Sequence, residues 1–142
     1  KFLLHSDWDN ISHSAITFDS SLGFAEHFGF RNSFGMPYQP FDLHNMKPFH
    51  FIEVPLMLMD GTFHKYLHIP SHLTADRIID FIEKNSTDCV LSLLWHNTYF
   101  SNYKYRNYLK EYKKILTYFY EQKFDYLTPL QIINKYKIKW HD

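Results

Sequence analysis

Cys89-Val90-Leu91-Ser92-Leu93-Leu94-Trp95-His96-Asn97 contains the most apolar run of the chain and ends abruptly in polar residues. From Cys89 to Trp95 both faces of a strand would be apolar, which is what a central strand of a parallel sheet requires. The sequence on either side fits such a sheet. Thr74 is placed as an N-cap, Asp76 falls in the first turn, and Ile78, Ile79 and Ile82 share a face, which predicts a helix over residues 74–83. Downstream, Tyr105, Tyr108, Leu109, Tyr112, Ile115, Leu116 and Phe119 recur at spacings of three and four and predict a long helix over residues 103–121. Residues 124–127 read as a last short strand. Thr128-Pro129-Leu130-Gln131 then opens a helix with a capping box and proline at its first position. Strand and helix alternate, so the expectation is an α/β fold forming a single domain over residues 1–142.

Upstream, residues 8–13 predict a short helix and residues 15–18 a short strand. Residues 50–58 predict a longer strand in which Glu53 is the one charge. A carboxyl buried there must be hydrogen-bonded or paired. Asp60-Gly61 then marks a turn. Between the first two strands, three of the four glycines crowd into the 13 residues from Gly23 to Gly35, with Arg31 set between Phe30 and Phe34. Glycines so concentrated point to tight turns and close backbone approach. This loop and the Trp95-His96-Asn97 corner are expected to meet at the mouth of one pocket.

Composition excludes several classes. Fifteen basic and fifteen acidic residues balance, so no global field recruits nucleic acid or anionic lipid. Lys104, Arg106, Lys110, Lys113 and Lys114 alternate with tyrosines but read as the solvated face of the long helix. The aromatic content of 20% is compatible with a sugar-facing surface and with an aromatic core. Cys89 is the only cysteine, so no internal disulfide forms, and a buried thiol is expected. No apolar stretch has membrane-spanning length and no signal-peptide pattern is present, and no compartment follows from the sequence. The opening Lys1-Phe2-Leu3-Leu4 reads like the middle of a domain.

Arg31, Asp60 and His96 each fall in a loop or just past a predicted strand, the edge where α/β folds build sites. A histidine there suits general acid or base work, and a nearby aspartate favours the imidazolium. An arginine can orient a second carboxylate through paired hydrogen bonds. Backbone N–H groups in Ser33-Phe34-Gly35 can face an oxyanion. Together these parts suit acyl transfer.

The ordered set also resembles a known family. Arg31-Asn32-Ser33-Phe34-Gly35 resembles the Arg-x-x-aromatic-Gly element of the polysaccharide deacetylases, the NodB-homology carbohydrate esterases, and Leu94-Trp95-His96 resembles their Leu-x-His element. Glu53-Val54-Pro55-Leu56-Met57-Leu58-Met59-Asp60, Asp19-Ser20-Ser21-Leu22-Gly23-Phe24 and Gly29-Phe30-Arg31 resemble segments of one bacterial branch. The resemblance implies part of a distorted (β/α) barrel and metal-dependent removal of N- or O-acetyl groups from an acetylated polysaccharide or oligosaccharide. It implies that Arg31 orients the catalytic base, that Phe34 and Gly35 supply the oxyanion-hole backbone, and that His96 is the general acid partnered by Asp60. Trp95 and Asn97 would line the substrate pocket.

The family binds a divalent, zinc-type metal through a Thr-Phe-Asp-Asp-Gly element and a His-x-x-x-His pair that precede the arginine element. Only 30 residues stand before Arg31, so the chain is expected to be the C-terminal half of such a barrel, inactive alone and without a metal site of its own. A competing register, with Thr17-Phe18-Asp19-Ser20-Ser21 as the first element and His64, His68 and His72 as metal ligands, is disfavoured. Ser20 and Ser21 replace the required Asp and Gly, and Pro70 keeps the three histidines off one helix face. Open barrel edges make self-association an expectation. The alternative from another class is a non-catalytic glycan- or partner-binding α/β module.

Overall fold

The structure, a computed structural model, describes residues 4–85 and 87–138. Helix α1 (Leu4–Ser12) leads into β1 (Phe18–Asp19), the glycine-rich loop, and an antiparallel hairpin of β2 (Phe41–Asp42) and β3 (Lys47–Pro48). Strands β4 (Ile52–Glu53) and β5 (Leu58–Met59) follow, then α2 (Thr74–Asn85), β6 (Leu93–Leu94), α3 (Tyr108–Glu121) and α4 (Pro129–Lys135). β1 pairs β4 in parallel, with Asp19 opposite Glu53, and β5 pairs β6 in parallel, with Met59 opposite Leu94. Among the described residues the strands form three two-stranded sheets and no closed barrel.

The single strand expected over residues 50–58 is a seam that changes partner. The N–H groups of Ile52, Val54, Leu56 and Leu58 donate in turn to the carbonyls of Thr17, Asp19, Leu22 and Ser92, at 3.0, 2.9, 3.0 and 3.1 Å. Pro55, which has no N–H, falls at a position that faces away from this ladder, where a proline is tolerated. On the opposite edge Glu53 and Tyr38 exchange backbone bonds at 2.8 and 3.0 Å, and pairing there stops before Pro55.

Other expectations shift. The apolar run 89–95 is a formal strand only at Leu93–Leu94, and the strand placed over 15–18 is confined to Phe18–Asp19. Asp60-Gly61 is not a reverse turn. Gly61 has φ −60° and ψ −30° and leads straight into a π-helical turn, Thr62–Tyr66. The helix over 103–121 starts at Tyr108, because Asn107 has φ +73° and a left-handed residue interrupts a right-handed helix. Residues 124–127 carry no strand, because no neighbouring strand pairs with them. α2 runs to Asn85, and Thr74 is a helical residue behind a 3-10 turn, Ser71–Leu73, rather than the cap. Cys89 is half-buried, its thiol donating to Asn85 O at 3.2 Å.

The larger core lies between α2, α3 and the β5–β6 pair, where Leu58, Phe63, Ile78, Ile82 and Ile115 are sealed from solvent. A smaller cluster of Trp8, Leu22, Phe49 and Phe51 packs beneath α1.

Candidate functional site

The register of β5 on β6 sets two strand ends side by side. Asp60 follows β5 by one residue and His96 follows β6 by two, so the two residues meet. Asp60 is fully buried and accepts three hydrogen bonds. Oδ1 receives the Gly61 N–H at 2.5 Å and lies 2.6 Å from His96 Nδ1, and Oδ2 receives the His96 N–H at 2.5 Å. A carboxylate only accepts, so Nδ1 carries a proton and Nε2 is left for other chemistry. The His96 side chain is 48% exposed. The arrangement is a buried carboxylate holding an accessible imidazole in one orientation.

His96 opens on a hollow of about 210 Å³ walled by Met59, Gly61, Lys65, Tyr66, Thr98 and Tyr99. Tyr99 arrives there because residues 97–100 form a 3-10 turn started by His96, and its N–H donates to the His96 carbonyl at 3.0 Å. Residues three apart eclipse in such a turn, which brings the Tyr99 ring beside that of His96, centroids 6.3 Å apart and tilted by 44°. The Tyr99 hydroxyl is buried with no hydrogen-bond partner among the described residues. Burial first, and then the Asp60 charge, push its pKa up to about 12. Sequence reasoning missed Tyr99; the spacing His96-x-x-Tyr99 could have found it only if the 3-10 turn had been foreseen.

Arg31 lines a neighbouring hollow of about 610 Å³ together with Gly23, Phe24, Glu26, Leu56, Met59 and Tyr66. Met59 and Tyr66 line both hollows, so Arg31 and His96 stand on two sides of one wall. The Arg31 guanidinium donates to Gly23 O at 3.5 Å, and none of the ion pairs among the described residues includes it.

The remaining expected site residues do not gather at His96. The Phe34 N–H is engaged by Asn32 Oδ1 at 3.4 Å, and the Phe34 ring packs edge-on to Tyr38. Gly35 is buried, and its carbonyl accepts the Val90 N–H at 2.9 Å, at the start of the run that ends in His96. The contact made by the Phe34-Gly35 backbone is thus with Val90, six residues ahead of His96 in the chain. Trp95 lines neither hollow; it packs on Tyr108 and Tyr112 of α3, at 6.0 and 5.3 Å between ring centroids. Asn97 is exposed at the start of the 3-10 turn.

A second carboxyl pair was half legible. Glu53 is fully buried, accepts the Leu22 N–H at 3.2 Å and lies beside Asp19, its partner across the β1–β4 register. Burial, and then the hydrogen bond and charge of Asp19, push the Glu53 pKa up to about 9. Asp19 in turn accepts the Ser21 hydroxyl at 2.6 Å, while the Ser20 hydroxyl lies 3.2 Å from Ser92 Oγ.

No group of three or more His, Cys, Asp or Glu side chains among the described residues converges as a metal-ligand set. His64, His68 and His72 fall in three different local structures: the π-helical turn, a left-handed residue with φ +50°, and the 3-10 turn. The three histidines of the competing register are therefore not presented from one helix face. No helix among them is long and apolar enough to cross a membrane. No protein-family model matches the chain, and neither curated proteins nor solved structures provide a match.

Proposed function

We propose that this chain supplies the proton-transfer edge of a polysaccharide deacetylase-like carbohydrate esterase, as a portion of a distorted (β/α) barrel acting on N- or O-acetyl groups of a glycan. The observation that carries the reading is the Asp60–His96 pair, a sealed carboxylate bonded to an imidazole that faces a hollow. Asp60 holds the Nδ1–H, so His96 Nε2 is the atom that first takes up a proton, forming an imidazolium beside the buried carboxylate, and then passes it to the departing nitrogen or oxygen. Tyr99 walls the same hollow beside His96, with its hydroxyl sealed from solvent, and so positions the imidazole without touching substrate. Arg31, across the Met59–Tyr66 wall, is free to orient an acidic group of substrate or protein. In this reading the chain contributes acid–base chemistry and orientation, and the divalent metal of the family is held by ligands outside these residues.

The test is acetate release from N-acetylated and O-acetylated oligosaccharides by the protein in its whole reading frame. A general acid contributes roughly 100-fold or more, so His96→Ala should lose at least that much in kcat while retaining substrate binding. Unchanged turnover in His96→Ala would remove the role given to His96. Saturable glycan binding with no acetate release in the unaltered protein would leave the chain as a binding module instead.

A further inference from the structure

A second concavity, of about 570 Å³, adjoins the His96 hollow, and Tyr105 lines both. Its walls carry His64, His68, Lys104 and Arg106, and no carboxylate lines it. None of the ion pairs among the described residues includes Lys104 or Arg106. The charge is therefore unspent, in a chain whose formal net charge is zero. The tyrosines Tyr103, Tyr105 and Tyr108 line the same space, and Lys104 Nζ sits 5.4 Å from the Tyr105 ring centroid.

The concavity is also built in advance. Asn107 Nδ2–H donates to Ser71 Oγ at 3.3 Å, tying the segment before α3 to the 3-10 turn before α2. The Ile69 N–H closes onto Phe63 O at 2.9 Å, and the Tyr105 N–H onto Ser101 O at 3.0 Å. His64 is held by the edges of Tyr99, Tyr105 and Tyr108 at 5.8, 5.3 and 5.7 Å, which links the cationic space to the aromatic wall of the His96 hollow. Cations on a preformed aromatic frame recognise an anionic group on a flat, partly apolar ring.

We infer that this concavity is an anion subsite that takes the carboxylate, sulfate or phosphate of a sugar adjacent to the one presented to His96, so that the preferred ligand is an acidic glycan. The inference rests on the glycan reading above and narrows its substrate class.

Binding measured without turnover tests it. The protein is titrated calorimetrically at low salt with a glucuronate–N-acetylglucosamine tetrasaccharide and with a neutral N-acetylglucosamine tetrasaccharide. The acidic ligand should bind at least tenfold tighter. Lys104→Gln combined with Arg106→Gln, both exposed changes, should erase that preference and leave neutral binding unchanged. His96→Ala should keep the preference, so failure of the catalytic reading and failure of the subsite register separately. Equal affinity for the two tetrasaccharides overturns the subsite, as does a preference that survives the double substitution. Inorganic sulfate binding as tightly as the acidic tetrasaccharide would make the site one for a free anion, and a single-stranded RNA outcompeting it would make it a nucleic-acid site. Either result overturns the assignment.

Discussion

Asp60 holds His96 at two atoms at once, taking the backbone N–H on Oδ2 at 2.5 Å and facing the ring Nδ1 with Oδ1 at 2.6 Å. Orientation of the ring and closure of the β6 corner thus depend on one buried carboxylate, which also receives the Gly61 N–H. Asp60→Ala strands two backbone donors, and breaking a buried charged network of this kind costs about 3 kcal/mol. Asp60→Asn is the sharper probe. Its amide oxygen can replace one acceptor, but its NH₂ must face a donor, so the variant should fold with reduced stability and lose turnover with His96 intact. Chemical denaturation and acetate release on the same preparation check both parts; an Asp60→Asn protein of normal stability and activity would contradict them.

The Tyr99 hydroxyl gives a prediction of opposite sign for stability. It is buried and unpartnered, so Tyr99→Phe removes a group whose desolvation nothing offsets. The variant should be as stable as the parent or slightly more so, with acetate release changed by less than about threefold, because the sealed hydroxyl does not reach substrate. Loss of stability on this substitution would mean the hydroxyl has a structural partner after all.

Glu53 makes the fold pH-sensitive in a direction unusual for a carboxyl. Its pKa rises from 4.5 to about 9 in the folded chain, with burial the first cause. Below pH 4.5 both folded and unfolded states hold the proton and the burial is uncompromised. Above that the unfolded chain releases the proton and the folded one keeps it, so stability falls as pH rises, by at most about 1.4 kcal/mol per pH unit, until the folded group titrates near 9. Glu53→Gln keeps an acceptor for the Leu22 N–H and gives Asp19 a donor. It should therefore flatten this dependence and be more stable than the parent at pH 8. Urea unfolding midpoints at pH 6 and pH 8 decide it.

What the sequence disclosed and what it hid have separate physical causes. The local signals held: the three- and four-residue spacing from Tyr108 to Phe119 is α3, and Thr128-Pro129-Leu130-Gln131 is a capped helix start. The Asp60–His96 contact was legible in part because each residue falls just past an apolar run, and the parallel β5–β6 register brings those two ends together. Where the Phe34-Gly35 turn docks was not legible, because a motif fixes order along the chain and not which neighbour it meets; the Gly35 carbonyl takes the Val90 N–H. The packing of the Trp95 ring on Tyr108 and Tyr112 of α3, and the Lys104–Arg106 concavity, were hidden because each joins segments distant along the chain, the concavity's two walls being more than 30 residues apart.

Gly35 itself supplies the last prediction. A Cβ there would lie 2.7 Å from both Cys89 Cβ and Phe30 Cζ, and closer than 3.0 Å something must move. Neither neighbour yields cheaply: Cys89 Cβ is bound directly to the backbone next to Val90, whose N–H the Gly35 carbonyl accepts, and Phe30 packs against the main core. Overpacking of this kind costs about 2 kcal/mol. Gly61→Ala is the control, since its nearest atoms stand 3.7 and 3.9 Å away and its backbone is helical, where alanine is preferred to glycine. Thermal unfolding should therefore show Gly35→Ala clearly destabilised and Gly61→Ala neutral or better. Equal melting of the two would mean that the glycine-rich loop does not clamp the start of the His96 strand, and that Arg31 is held only by its own turn.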